Sequence, residues 1–100
     1  MKDIRFVVVH RPGPKWRSGA PLHEQEGVHE HVAHYRKLHE AGKLDFGGPF
    51  LDAPSGGMMI PAAGLAREEI EAFAAADPAI RNGLLHYEVR AWLIGMKRDS

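Results

Sequence analysis

The chain has 100 residues, of which 44% are hydrophobic, and its 13 basic residues balance its 13 acidic ones. This length suffices for one hydrophobic core, and the balanced charge lacks the field that draws proteins to nucleic acid or anionic membranes. The absence of cysteine excludes disulfides and thiolate chemistry and favours the cytoplasm. From the length and the charge we expect one domain over residues 1–100 with no nucleic-acid or membrane partner.

The chain opens with a predicted strand and a long loop. Residues 3–10, DIRFVVVH, are apolar and β-branched in the middle, which is typical of a strand whose one face ends at His10. Residues 11–22 contain three prolines and two glycines, so they predict a loop. A loop of this length in a small domain is often functional.

A helix is predicted next, from about His23 to Ala41, with Gly42 placed to end it. Its apolar residues recur at helical spacing and form one stripe, made of Val28, Val32, Tyr35 and Leu38. We expect this stripe to face the core.

The second half of the chain predicts two short strands, a helix and a closing strand. These segments are KLDFGGPF at 43–50, GGMMIPA at 56–62, AREEIEAFAAAD at 66–77 and LLHYEVRAWLI at 84–94. The Asp77-Pro78 pair interrupts the helix, and Pro78 suits the first turn of another short helical segment capped by Asp77.

The order β-α-β-β-α-β predicts an α+β, ferredoxin-like fold, in which a four-stranded antiparallel sheet has both helices on one face. Apolar residues occupy both sides of the first strand, because Val7 and Val9 point away from the side that holds Phe6 and Val8. A second copy of the chain would cover the other side of the sheet. We therefore predict a homodimer with sheets packed face to face, a dimeric α+β barrel.

Residues 29–39, HEHVAHYRKLH, hold four of the seven histidines. On a helix His31 and His34 lie about 60° apart on neighbouring turns, so they can approach one another. A metal site would need both plus a third ligand from another element, such as His10 or Asp77. The spacing matches no standard zinc motif, so we predict no metal and no cofactor.

His31 and Asp77 are polar residues at positions where the pattern predicts burial. His31 lies at the edge of the apolar stripe, and Asp77 completes the i, i+3, i+4, i+7 pattern begun by Ile70, Phe73 and Ala74. If the two side chains meet, the carboxylate fixes the imidazole tautomer and makes it a general base. An aspartate before proline is also a common helix N-cap, and the spacing alone leaves both interpretations open.

The chain resembles the YciI-like (YCII-related) domain family. The resemblance is carried by PGPKW, EHVAHYRKLHEAGKL, GGPFLD, GGMMI, EEIEAFAAADPAIRNGL and YEVRAW, which cover most of the sequence. It implies the ferredoxin-like fold, dimers of the α+β barrel type, and an active-site pair at His31 and Asp77. The chain has GGPF at 47–50 where a related branch has D-G-P-F, so functional transfer from that branch is not made.

The leading hypothesis is a cofactor-free enzyme that transfers protons on a small aromatic or enol-containing molecule, in an isomerisation or elimination. His31 would be the base and Asp77 would orient it, while His10 and His34 bind a substrate oxygen and Trp16 covers an aromatic ring. Trp16 has an alternative role as a hydrophobic plug that holds the loop down. The alternative function is a non-catalytic small-molecule-binding or accessory dimeric protein.

Overall fold

The computed structural model describes residues 2–98. Its elements are β1 (Ile4–Pro12), a 3-10 turn (Leu22–Glu24), α1 (Val28–Glu40), β2 (Leu44–Pro49), β3 (Gly57–Pro61), α2 (Arg67–Ala75), α3 (Pro78–Arg81) and β4 (Leu85–Leu93). None of the helices in this part of the chain is long and apolar enough to cross a membrane.

The four strands form one antiparallel sheet in the order β2-β3-β1-β4, and the helices pack on one of its faces. Val8 of β1 and Val89 of β4 are directly paired, and both pack against Ile70 and Ala74 of α2. Because these apolar side chains are buried against one another, they hold α2 against the middle of the sheet. The predicted α+β fold of ferredoxin-like type is confirmed.

Helix α1 is shorter than the sequence predicts, since it begins at Val28 instead of His23. Gly27 has a φ of 95°, a left-handed conformation that separates α1 from the preceding 3-10 turn. The predicted end is correct, because Gly42 has a φ of 76° and its N–H donates to the carbonyl of His39. Val32 was expected in the core, but it is 44% exposed.

Asp77 lies between two helices and belongs to neither. Helix α2 ends at Ala75, two residues before it, and Asp77 has extended backbone angles as the N-cap of α3. The predicted helix therefore ran two residues too far, although the side chain of Asp77 is fully buried, as expected. The short helical segment predicted at Pro78 is confirmed.

The sheet face opposite the helices carries large apolar side chains. Val7 and Val9 point to this face, since they alternate with Val8, which packs against α2. Phe46 is 65% exposed and Trp92 is 43% exposed. Both side chains point to this face, because each is directly paired with a residue of the neighbouring strand whose side chain also points to it.

Candidate functional site

His31 and Asp77 meet in the interior of the protein. The Nδ1 atom of His31 lies 2.6 Å from Oδ2 of Asp77, while Oδ1 of Asp77 accepts a hydrogen bond of 2.9 Å from the backbone N–H of Ala79. Asp77 is 0% exposed and His31 is 4% exposed. One carboxylate therefore caps α3 with one oxygen and accepts a hydrogen bond from the imidazole with the other, so the predicted N-cap is confirmed and the two side chains meet.

This contact fixes which nitrogen of His31 carries the proton. A carboxylate accepts hydrogen bonds, so Nδ1–H is the donor and Nε2 of the neutral ring keeps its lone pair. Every fully buried side-chain nitrogen or oxygen within residues 2–98 has a hydrogen-bond partner, and the hydrogen bond of His31 is made through Nδ1. Nε2 is therefore the nitrogen left accessible, and it is the one able to accept a proton.

His10 joins this pair from the end of β1. Its Nε2 lies 3.9 Å from Oδ2 of Asp77, and its ring meets that of His31 edge to face, with centroids 4.9 Å apart. Burial and, to a smaller extent, the neighbouring His31 lower the pKa of His10 to about 4, although the charge of Asp77 acts in the opposite direction. His10 is therefore neutral at pH 7, and its approach to Asp77 is a contact between a neutral ring and a carboxylate.

Tyr35 completes a group of four polar side chains. Its hydroxyl makes a long hydrogen bond of 3.5 Å to Nε2 of His10, and its ring lies edge to face against His31. Burial raises the pKa of Tyr35, and the charge of Asp77 raises it further. The phenol therefore stays protonated at physiological pH and acts as a hydrogen-bond donor.

Gly56, directly before β3, lets the backbone approach the histidine near the end of β1. His10 is paired with Gly57, and a Cβ added at Gly56 would collide with the carbonyl oxygen of His10. Gly56 also has a φ of 136°, a conformation that favours glycine. Gly56 thus allows the close backbone approach to His10 that a larger residue would prevent.

A cavity of about 330 Å³ opens beside this group, between α1 and the strands β2 and β3. His10, His31 and Tyr35 line it, together with Arg36 and His39. Most of the remaining wall is apolar and includes Leu22, Val32, Leu44, Met58 and Leu85. Ligand sites of small molecules are mostly apolar clefts of roughly 300–1,000 Å³ with a few convergent polar groups, and this cavity has that character.

The other two predicted site residues lie elsewhere. His34 stacks on Phe73, with ring centroids 3.9 Å apart, and its Nε2 donates to the Phe73 carbonyl at 2.7 Å. Trp16 packs against the cluster of Ala79, Leu84 and Leu85. His34 thus joins α1 to α2, and Trp16 holds its loop against the body of the protein.

The sequence did not indicate that Tyr35, Arg36 and His39 belong with the site. Tyr35 follows His31 by four residues, a spacing that puts both on the same side of a helix, but an aromatic residue at this spacing is usually a core residue. The ring of His39 is oriented by its Nδ1–H, which donates to the Leu44 carbonyl at 3.1 Å. Only the position of β2 shows that this side of α1 borders a cavity.

The structure changes the candidate metal ligands. His10, His31 and Asp77 offer atoms that all lie within 4.8 Å of one another, whereas the histidine pair His31 and His34 is separated. A metal bound here would have to replace the 2.6 Å hydrogen bond between His31 and Asp77. In the structure Oδ2 of Asp77 instead accepts the hydrogen bond from Nδ1–H of His31.

The fold and the site define a small α+β protein in which a helix-borne histidine and an Asp-Pro carboxylate form a buried pair beside a ligand-sized cavity. A family model described as the YCII-related domain matches residues 4–93. The chain belongs to this family, which confirms the resemblance noted in its sequence. Neither the curated proteins nor the solved structures give a match.

We expect His10 to make the protein less stable in acid. Its pKa is about 4 in the folded state and 6.5 in the unfolded chain, so between these values the unfolded chain binds a proton that the folded protein does not. The contribution is fully present above pH 6.5, and the free energy of unfolding should fall by about 3 kcal/mol as the pH drops to 4. Urea unfolding at pH 4 to 8 measures this fall.

The variant His10→Gln should have a flatter dependence on pH than the wild type. His23→Gln is the matched control, because the side chain of His23 is exposed, and it should keep the wild-type slope. Equal slopes for His10→Gln and the wild type would contradict the assignment of a buried neutral His10.

The substitution Asp77→Asn should reverse the tautomer of His31. Its amide oxygen can still cap α3, but its NH₂ group donates to Nδ1 of His31, so the proton of the ring moves to Nε2. Long-range ¹H–¹⁵N spectra at pH 9 distinguish the two tautomers. Asp52→Asn in an exposed loop is the control, and an unchanged tautomer in Asp77→Asn would show that the pair is not hydrogen-bonded in this way.

Proposed function

We propose that this chain is a cytoplasmic, cofactor-free acid–base enzyme that moves a proton on a small molecule with an acidic C–H bond, in an isomerisation or an elimination. The observation that carries the proposal is the 2.6 Å contact between His31 and Asp77 at the wall of a ligand-sized cavity. A buried histidine with a carboxylate partner and an accessible second nitrogen is suited to general base catalysis.

In the first step, Nε2 of His31 takes the proton from carbon. The C–H electron pair stays on the substrate, which becomes an enolate or a carbanion. Asp77 stabilises the imidazolium through the Nδ1–H hydrogen bond without taking the proton. The electron pair then either expels a leaving group, which is an elimination, or accepts the same proton from Nε2 at a different carbon, which is an isomerisation. The isomerisation returns His31 to its neutral form, whereas the elimination leaves the abstracted proton on His31, which then releases it to the leaving group or to water.

We propose that Tyr35 and His10 stabilise the charge that develops on a substrate oxygen. The hydroxyl of Tyr35 stays protonated, and its hydrogen bond to His10 is long, so it can turn toward a stronger acceptor. A donor aimed at developing charge in a water-poor site contributes strongly to catalysis. We propose that His10 binds the substrate beside Tyr35, while His34 and Trp16 support the site from outside the cavity.

A second candidate function is a non-catalytic binder of small molecules. It is favoured by the depth of the pair, because His31 is 4% exposed and Asp77 is fully buried. In that case the pair completes the hydrogen bonding of the cavity floor, and His31 does not exchange protons with a ligand.

Proton exchange in D₂O separates the two functions without knowledge of the product. A panel of ring compounds with acidic C–H bonds is incubated with the protein, and loss of the proton signal is followed by NMR. We expect the wild type to accelerate exchange for at least one compound, and His31→Gln and Asp77→Asn to slow it by about 10²–10⁴-fold.

His29→Gln is the control, since His29 is an exposed residue of the same helix, and it should exchange at the wild-type rate. Circular dichroism checks that each variant is folded. Exchange by His31→Gln at the wild-type rate would rule out His31 as the base. Binding of a compound with no exchange would favour the non-catalytic function.

We further propose that the protein forms a homodimer through the open face of its sheet. Phe46 and Trp92 are exposed on this face near Val7 and Val9, and such apolar surface is typical of an interface. A second copy covers it with a two-fold related set of the same residues, because a symmetric patch is complementary to itself.

Analytical ultracentrifugation tests the dimer. The wild type should sediment with twice the mass of one chain, and Phe46→Glu and Trp92→Glu should shift the population to single chains, since each would bury a charge in the interface. Leu51→Glu is the matched control, because Leu51 is 99% exposed in a loop. A wild type that sediments as a single chain would contradict the proposal.

A further inference from the structure

The permanent charge on the cavity wall is positive. Among the described residues that line the cavity, Arg36 has a permanent charge, and the wall contains no carboxylate. Asp77 lies behind His31, where both of its oxygens already accept hydrogen bonds. His10 is neutral and the hydroxyl of Tyr35 is protonated at pH 7. The cavity therefore offers one cation and several neutral groups to a ligand.

Arg36 is available to a ligand. Its side chain is exposed, and within residues 2–98 it has neither an ion pair nor a hydrogen bond with another side chain. By contrast, Arg5 is held by Asp3 and Asp45, and Arg11 is paired with Glu88. A guanidinium at the wall of an apolar cavity is well suited to bind a carboxylate in a bidentate manner.

The geometry of α1 sets the distance between this cation and the base. Five residues separate His31 from Arg36, which corresponds to about 7.5 Å along the helix axis and about 140° around it. Val32 and Tyr35 lie between them in angle and also line the cavity. The helix thus presents, in order across one flank, the base, a phenol, an apolar side chain and a cation.

We propose that the cavity binds a small carboxylate whose apolar, ring-sized body fills the space between Arg36 and His31. Arg36 holds the carboxylate at the outer edge, the apolar wall contacts the ring, and the acidic C–H bond meets Nε2 of His31. This inference rests on the proposed function, because it takes His31 as the group that meets the reacting carbon. It adds a negative charge on the substrate and a residue that selects for it.

Binding of benzoate and benzamide to the full-length protein tests the inference. The two probes have the same ring and nearly the same shape, but only benzoate is charged. NMR titration of ¹⁵N-labelled protein gives both dissociation constants and locates the shifts. We expect benzoate to bind at least tenfold more tightly than benzamide, with shifts in α1, β2 and β3, and Arg36→Gln to abolish this preference. Lys37→Gln is the matched control on the exposed side of α1 and should retain it.

The inference is overturned if benzoate does not bind, if the two probes bind equally well, or if Arg36→Gln keeps the preference for benzoate. The variant His31→Gln separates this inference from the proposed function. If His31→Gln binds benzoate with the wild-type preference and the wild type catalyses no exchange, the anion site stands and the base does not. If exchange depends on His31 while benzoate and benzamide bind equally well, the base stands and the anion site does not.

Discussion

The carboxylate of Asp77 is the group on which the rest of this site depends. It is fully buried, and its two oxygens serve two elements, since one caps the N-terminus of α3 and the other holds the imidazole of His31. An unpaired buried carboxylate would be costly, so the backbone N–H of Ala79 and the imidazole N–H together make its burial possible. The same hydrogen bonds fix the start of a helix and the tautomer of a base.

The polar side chains around Asp77 are buried without loss of hydrogen bonding. His10 and Tyr35 are buried beside it in their neutral forms, because burial lowers the pKa of the first and raises that of the second. Within residues 2–98 no fully buried side-chain nitrogen or oxygen lacks a hydrogen-bond partner. A cluster whose hydrogen bonds are satisfied in this way holds its side chains rigidly, which the proposed catalytic role would require.

The fold brings this group together from distant parts of the chain. His10 lies at the end of the central strand β1, His31 lies in the first turn of α1, and Asp77 lies 46 residues beyond His31. Gly56, directly before β3, allows the close backbone approach to His10, and the flank of α1 that faces β2 becomes the cavity wall. The site therefore depends on the packing of α1 against both the sheet and α3.

The order of the elements, the ferredoxin-like sheet and the burial of His31 and Asp77 could be predicted from the sequence, because hydrophobic periodicity and turn residues are local signals. Other features were seen only in the folded protein. His34 points to Phe73 while His31 points to Asp77. Trp16 packs away from the cavity, and Arg36 borders it. Spacing along a helix gives the direction of each side chain around that helix. What lies in that direction depends on elements that are far away in sequence, and their positions are fixed by the packing of the whole chain.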